Sequence, residues 1–192
     1  MAAPQLISDL DQAKRAVRAR ALIVRAGLDP VVAGLGLTEA VLRDAPPPLG
    51  AVVAGFWPLA AEIDVRPLLL ALHDRGHPIV LPVTPKRGHP LSFRLWRPGD
   101  GFETERFGTV RPTGELRIPD FLLVPLLAFD RTGGRLGYGA GYYDRTLAGL
   151  PGRFTLGCAF AEQEVDSVPV GPYDRRLNAV ATDRGVIRCE GV

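Results

Sequence analysis

The stretch GGRLGYGAGYYDR, residues 133–145, sets closely spaced glycines beside two arginines, two adjacent tyrosines and an aspartate. Glycines at such spacing let another group approach the main chain, and amides gathered in one turn bind phosphate oxygens. The amides of Gly137, Tyr138, Gly139, Ala140, Gly141 and Tyr142 form the candidate cradle, and Arg135 and Arg145 could add charge-assisted bonds. Two common phosphate signatures do not fit. A GxGxxG fingerprint would need glycine where Tyr142 stands, and a Walker A loop would need Gly-Lys followed by Ser or Thr. A purely structural glycine turn would explain the glycines but not Asp144. A carboxylate one turn into a phosphate-facing helix calls for a cation, and Mg2+ is typically held by one or two carboxylates with phosphate oxygens and water.

A second source of charge lies near the start. After Ser8, read as an N-cap, Leu10, Ala13, Val17, Ala21 and Val24 recur at helical spacing, with Gly27 as the stop. The other face of this helix carries Lys14, Arg15, Arg18 and Arg25. Lys14 and Arg18 are four residues apart, a mild like-charge cost that a bound anion would offset. A solvated basic face is the alternative.

These groups need a scaffold. TEAVLRD from Thr38 predicts a short second helix, AVVAGFW a buried strand, AEIDVRPLLLALHDRG a helix closing at Gly76, and PIVLPV a further strand. Strand, helix and strand at crossover length imply a βαβ unit. LSFRLW alternates like an edge strand, residues 97–115 read as a polar surface loop, and IPDFLLVPLLAFD is a strand whose pairing ends near Pro125. The glycine stretch follows, then a helix from about Gly141, a strand in FTLGCAF and a last one in NAVATDRGVIR. The sum is one α/β domain over residues 1–192, with three α/β/α layers and a mainly parallel central sheet. The glycine stretch falls beyond the carboxyl end of a strand, where open α/β sheets bind ligands.

Composition narrows the choices. The net charge is +2 with basic residues scattered among acids, which argues against a nucleic-acid stripe. No run approaches the ~20 apolar residues of a membrane span, and the start lacks a signal-peptide core, so a cytoplasmic location is expected. Cys158 and Cys189 form no CxxC pair, and His73, His77 and His89 have no ligand spacing to them, so reduced structural thiols are expected.

RLGYGAGYYDR resembles the signature of the 5-formyltetrahydrofolate cyclo-ligase family, also called methenyltetrahydrofolate synthetase. AKRAVRAR is similar to the family's nucleotide-binding Lys-x-x-x-Arg segment, which falls on Lys14 and Arg18. FWPLAAEID resembles its folate-pocket segment, giving Trp57 and Glu62, and VPVGPYDRRLNAVATDRGV resembles the region whose aspartate, here Asp174, joins Asp144 at the metal. The resemblance implies cyclisation of 5-formyltetrahydrofolate to 5,10-methenyltetrahydrofolate, dependent on ATP and Mg2+, with release of ADP and phosphate. It implies that Arg135 and Lys14 serve catalysis, and that Lys14, Arg18, Arg135, Leu136, residues 137–142 and Tyr143 bind the nucleotide. Trp57 would pack on the folate ring and Glu62 accept from its nitrogens, with Asp144 and Asp174 at Mg2+.

Small-molecule folate and ATP are the expected partners, and a monomer is expected rather than an oligomer. One of Tyr142 and Tyr143 is expected in the core and the other at the pocket. As local features alone, Glu62 reads equally as an early-turn helix acid and Asp174 as a turn residue after Pro172. The chain departs from the family where FGTVRP, residues 107–112, places Arg111 in the position of an acid, and where Trp57 follows Phe56. The first departure is the main support for a non-catalytic nucleotide- and folate-binding paralogue. An enzyme acting on a phosphorylated sugar is a third reading.

Overall fold

The computed structural model describes residues 3–59, 61–104 and 110–190. The chain begins with two helices, α1 (Ala3–Ala26) and α2 (Pro30–Asp44). Ser8 therefore lies inside the first helix rather than capping it; Pro4 sits in the first turn, where its missing N–H removes no helical bond. The second helix starts earlier than Thr38 because Asp29 caps it, accepting from Val31 N and Val32 N, and Pro30 presets its first turn. Gly34 and Gly36 lie inside α2 where other segments press on it: a Cβ on Gly34 would sit 2.1 Å from the Asp64 carbonyl oxygen.

The remaining elements are β1 (Val53–Ala54), α3 (Arg66–Asp74), β2 (Ile79–Val83), β3 (Ser92–Trp96), β4 (Phe102–Thr104), β5 (Val110–Pro112), β6 (Phe121–Pro125), β7 (Ala128–Phe129), β8 (Arg135–Leu136), α4 (Tyr142–Ala148), β9 (Phe154–Cys158), β10 (Ala179–Thr182) and β11 (Gly185–Arg188). α3 starts at Arg66, with Pro67 in its first turn, so Glu62 belongs to the preceding loop and is not an early helical acid. The segment expected as a loop over residues 97–115 contains the antiparallel pair β4 and β5. Residues 107–109 of FGTVRP lie outside the described residues.

One sheet runs in the order β11, β10, β9, β6, β1, β2, β3. Its inner strands from β10 to β2 are parallel, and β11 and β3 pair antiparallel at the edges. Successive residues of each strand face opposite layers. Val53, Ile79, Phe121, Leu123 and Leu156 pack with α2 and α3, while Ala54, Val80, Leu122, Val124 and Val180 pack with Leu147 of α4. The three-layer arrangement is thus present. α1 packs against β7 and the short 3-10 turn Ala161–Gln163. Among the described residues, no single helix is long and apolar enough to cross a membrane.

Candidate functional site

The strand order places a switch point between β1 and β6. From β1 the chain passes through α3 to β2 on one side, and from β6 through α4 to β9 on the other. The loops leaving the carboxyl ends of β1 and β6 diverge there, which opens a crevice. The loop after β1 carries Trp57 and Glu62; the segment after β6 leads through β7 and β8 to the glycine stretch.

That stretch has two parts. Gly133 and Gly134 are packing glycines: a Cβ would lie 2.4 Å from the Leu177 carbonyl oxygen at the first and 2.6 Å from Asp130 Oδ2 at the second. Buried Asp130 organises this turn by accepting from Thr132 N, Thr132 Oγ1, Gly134 N and Val168 N. Burial alone would raise its pKa, but these bonds outweigh it and hold the carboxyl below the usual carboxylate range.

The second part faces outward. A Cβ on Gly137 would meet nothing within 4 Å, and Gly139 and Gly141 have φ of +99° and +70°. No amide from residues 138–141 donates to a protein group among the described residues. Arg145 braces the loop rather than standing free, donating to the Ala140 and His89 carbonyls with its guanidinium over the Tyr142 ring. α4 has only seven residues, so these loop amides contribute more to an anion site than its dipole does.

α1 brings three cations to the same place. Lys14 pairs with Asp174 at 2.5 Å, Arg18 Nε donates to the Gly137 carbonyl at 2.9 Å, and Arg25 Nη2 donates to the Tyr138 hydroxyl at 2.7 Å. These residues share the inward face with Leu10, Val17 and Ala21, not the opposite face expected for them; Leu22 and Ile23 point outward instead. The reason is that this face meets a polar crevice, where long basic side chains bury their stems and reach acceptors.

Arg135 is 6% exposed and pairs with Asp144 Oδ1 at 2.8 Å, which also accepts from Arg175 N. Arg135 Nε is buried without a partner among the described residues. Asp174 Oδ2 accepts from Gly171 N as well as Lys14. Each carboxylate keeps one oxygen without a hydrogen bond among the described residues. That donor set fits a Mg2+ held largely by phosphate and water, whereas the described residues contain no cluster of three or more ligating side chains able to cage an ion alone.

On the other wall, Glu62 is 5% exposed and its Oε2 accepts from Leu59 N. Burial pushes its carboxyl up, opposed by the Leu59 amide, by Arg25 and by the nearby Tyr138 hydroxyl. Trp57 lies in an aromatic cluster, 4.6 Å from Phe102 and 5.7 Å from Trp96 between ring centroids, with Arg66 over its ring. Tyr143 packs against the core with its hydroxyl buried, and Tyr142 donates to the Pro85 carbonyl. Arg111 pairs with Glu103 across the β4 and β5 hairpin, so the changed position has a local counter-charge. The structure therefore brings Lys14, Arg18, Asp144, Asp174, Glu62 and the glycine loop around one crevice. It places Arg135 beneath that crevice and Trp57 at the hairpin side. Sequence reasoning places Arg25 only on the basic helix face and gives the Tyr138 side chain no role; the helical spacing of Arg25 with Lys14 and Arg18 is the available signal.

A model of the 5-formyltetrahydrofolate cyclo-ligase family matches residues 49–183. The chain is 35% identical over 143 residues to the 5-formyltetrahydrofolate cyclo-ligase of Escherichia coli K12, covering 68% of this chain and 76% of that protein. It is 33% identical over 150 residues to the Mycolicibacterium smegmatis protein of the same name, covering 72% and 77%. The solution structure of Aquifex aeolicus 5,10-methenyltetrahydrofolate synthetase superposes with a TM-score of 0.77 at 26% identity, covering 93% of this chain and 94% of that one.

Proposed function

Because the chain belongs to the 5-formyltetrahydrofolate cyclo-ligase family, we propose that it couples ATP cleavage to ring closure of 5-formyltetrahydrofolate, yielding 5,10-methenyltetrahydrofolate, ADP and phosphate. The observation that carries the site assignment is the run of amides at residues 138–141 that have no partner among the described residues, set beside Arg18 and across the switch point from Glu62.

The chemical difficulty is that an N-formyl oxygen leaves poorly. Attack of that oxygen on the γ-phosphorus displaces ADP and converts it into a phosphate ester. The N10 nitrogen then adds to the activated carbon, its proton is lost, and the C–O bond to phosphate breaks. No enzyme nucleophile is needed, so the protein contributes position and charge. In this reading the amides of residues 138–141 and the Arg18 guanidinium hold phosphate oxygens. Lys14 gives one of its three donors to Asp174 and directs the others to the transferring group. When bound at Asp144 and Asp174, Mg2+ supplies charge neutralisation on the phosphates. Arg135 acts through Asp144, whose carboxylate it fixes from below, and is a positioning residue. Glu62 accepts from folate ring nitrogens, and Trp57 offers a face for packing.

The Glu103 partner of Arg111 removes the main reason for the non-catalytic alternative, and the relatives matched are named for catalytic activities. The test is the absorbance of the conjugated methenyl product from 5-formyltetrahydrofolate and Mg2+ with and without ATP. An ATP-dependent rise is expected; a flat trace from folded, ATP-binding protein would overturn the reaction and favour the paralogue.

A further inference from the structure

We propose that Arg25 is a positioning residue for the folate ring: it anchors the Tyr138 hydroxyl, which in turn holds the Glu62 carboxylate in place. The inference rests on the folate reading above and adds to it a residue from α1 that neither the glycine motif nor the folate-pocket segment contains.

Arg25 is 5% exposed, in a helix whose neighbouring Ile23 is 76% exposed. Its Nη2 donates to Tyr138, its guanidinium lies 5.6 Å from the Tyr138 ring centroid, and both the guanidinium and the Tyr138 hydroxyl lie close enough to buried Glu62 to favour its ionised form. Its Nη1 is buried without a partner among the described residues. Stability is a poor account of such a group. A buried cation with an unmet donor carries a desolvation penalty, and an apolar side chain of similar volume at such a position is often neutral or stabilising.

What Arg25 supplies is local. Among the described residues the loop holding Glu62 gives it one amide, from Leu59, and the other groups that act on it come from elsewhere, Arg25 from α1 and Tyr138 from the glycine loop, with the neutral, buried Tyr143 of α4 nearby. Arg25 is the only cation among these. An acceptor for ring N–H groups must be ionised and fixed, and burial works against ionisation, so the guanidinium is the counterweight.

The experiment compares wild type, Arg25→Met, Arg25→Lys and Tyr138→Phe in steady-state turnover and in equilibrium titration with 5-formyltetrahydrofolate across pH. For Arg25→Met, the KM for folate should rise about tenfold or more while the KM for ATP stays within about twofold. Without its cation Glu62 protonates at higher pH, so folate binding should fade at a higher pH than in wild type as pH is lowered. Arg25→Lys should recover part of the affinity, and Tyr138→Phe should shift the same quantities by less. Unchanged folate KM and pH profile in folded Arg25→Met, or equal weakening of ATP and folate, would overturn the proposal. If that variant does not fold, unchanged folate binding in Tyr138→Phe would overturn it. Wild type that forms no methenyl product would instead sink the functional reading itself.

Discussion

Replacing Gly139 with alanine probes the glycine loop at a point where backbone and charge meet. Gly139 has φ of +99°, and a Cβ there would stand 3.2 Å from Arg18 Nη2. An L-residue held at positive φ costs about 1–2 kcal/mol. The loop is partly exposed, so the variant relieves this by turning to conformations that no longer present their amides together, and Arg18 must shift as well. A penalty of that size lowers the competent population about 5- to 30-fold, and apparent ATP affinity falls by the same factor. The assay is product absorbance against ATP concentration, joined to equilibrium ATP binding, with 5-formyltetrahydrofolate titrated in parallel. Gly152→Ala is the control. Gly152 has φ of +75° with open space around its Cβ position, in the turn between α4 and β9, so it should lose stability and leave ATP affinity alone. An ATP KM within about twofold of wild type in Gly139→Ala would refute the cradle. An equal KM rise in Gly152→Ala would show that the effect comes from global destabilisation.

Three further outcomes follow from the same contacts. Asp144→Asn and Asp174→Asn should each raise the Mg2+ concentration for half-maximal activity about tenfold, since each loses a charged ligand; wild-type metal dependence in both would refute the pairing at one ion, and asparagine is used because alanine at 144 would strand buried Arg135. Asp130→Asn should cost about 1–3 kcal/mol in urea unfolding, because an amide cannot accept all four of its bonds. The stabilisation from this lowered pKa is present above the unfolded value of about 3.9 and is lost as pH falls through the lower folded value, so the variant's acid-unfolding curve should be flatter; an identical acid slope would contradict this. Burial pushes both thiols up, Cys189 to about 11, so at pH 8 labelling of native protein by a thiol reagent should be slow and should accelerate in denaturant. Native-state labelling of Cys158 as fast as in denaturant would contradict its burial.

Much of the architecture was legible in local pattern. Alternation and apolar runs marked β2, β3, β6 and β9, and Pro125 marked the end of β6. Element starts were harder. α2 begins at an Asp-Pro pair that outweighs the two glycines behind it, and α3 begins at Arg66, with Pro67 in its first turn, rather than at the acids before it. The hairpin of β4 and β5 was hidden because its strands are only three residues each and rich in charge. Within the site, the glycine loop was visible as composition, but the division of labour within it was not. Gly133 and Gly134 answer to Leu177 and Asp130, while a Cβ on Gly137 would meet nothing within 4 Å and one on Gly139 would meet Arg18.

The sequence by itself determined the kinds of elements, the presence of a glycine-rich loop beyond a strand end and the family to which those motifs point. Tertiary structure alone decided which charges meet. Lys14 finds Asp174 across 160 positions of the chain, and Arg25 finds Tyr138 across 113. It also decided the inward face of α1. Hydrophobic periodicity assumes an apolar interior and a watery outside, and by that measure Arg18 and Arg25 belong outside. The surface that α1 covers is a crevice lined by carbonyls, carboxylates and a phenol, so the favourable exchange is charge for charge and donor for acceptor. A helix cannot announce the polarity of the surface it will cover, because that surface is assembled from strands and loops more than a hundred residues away.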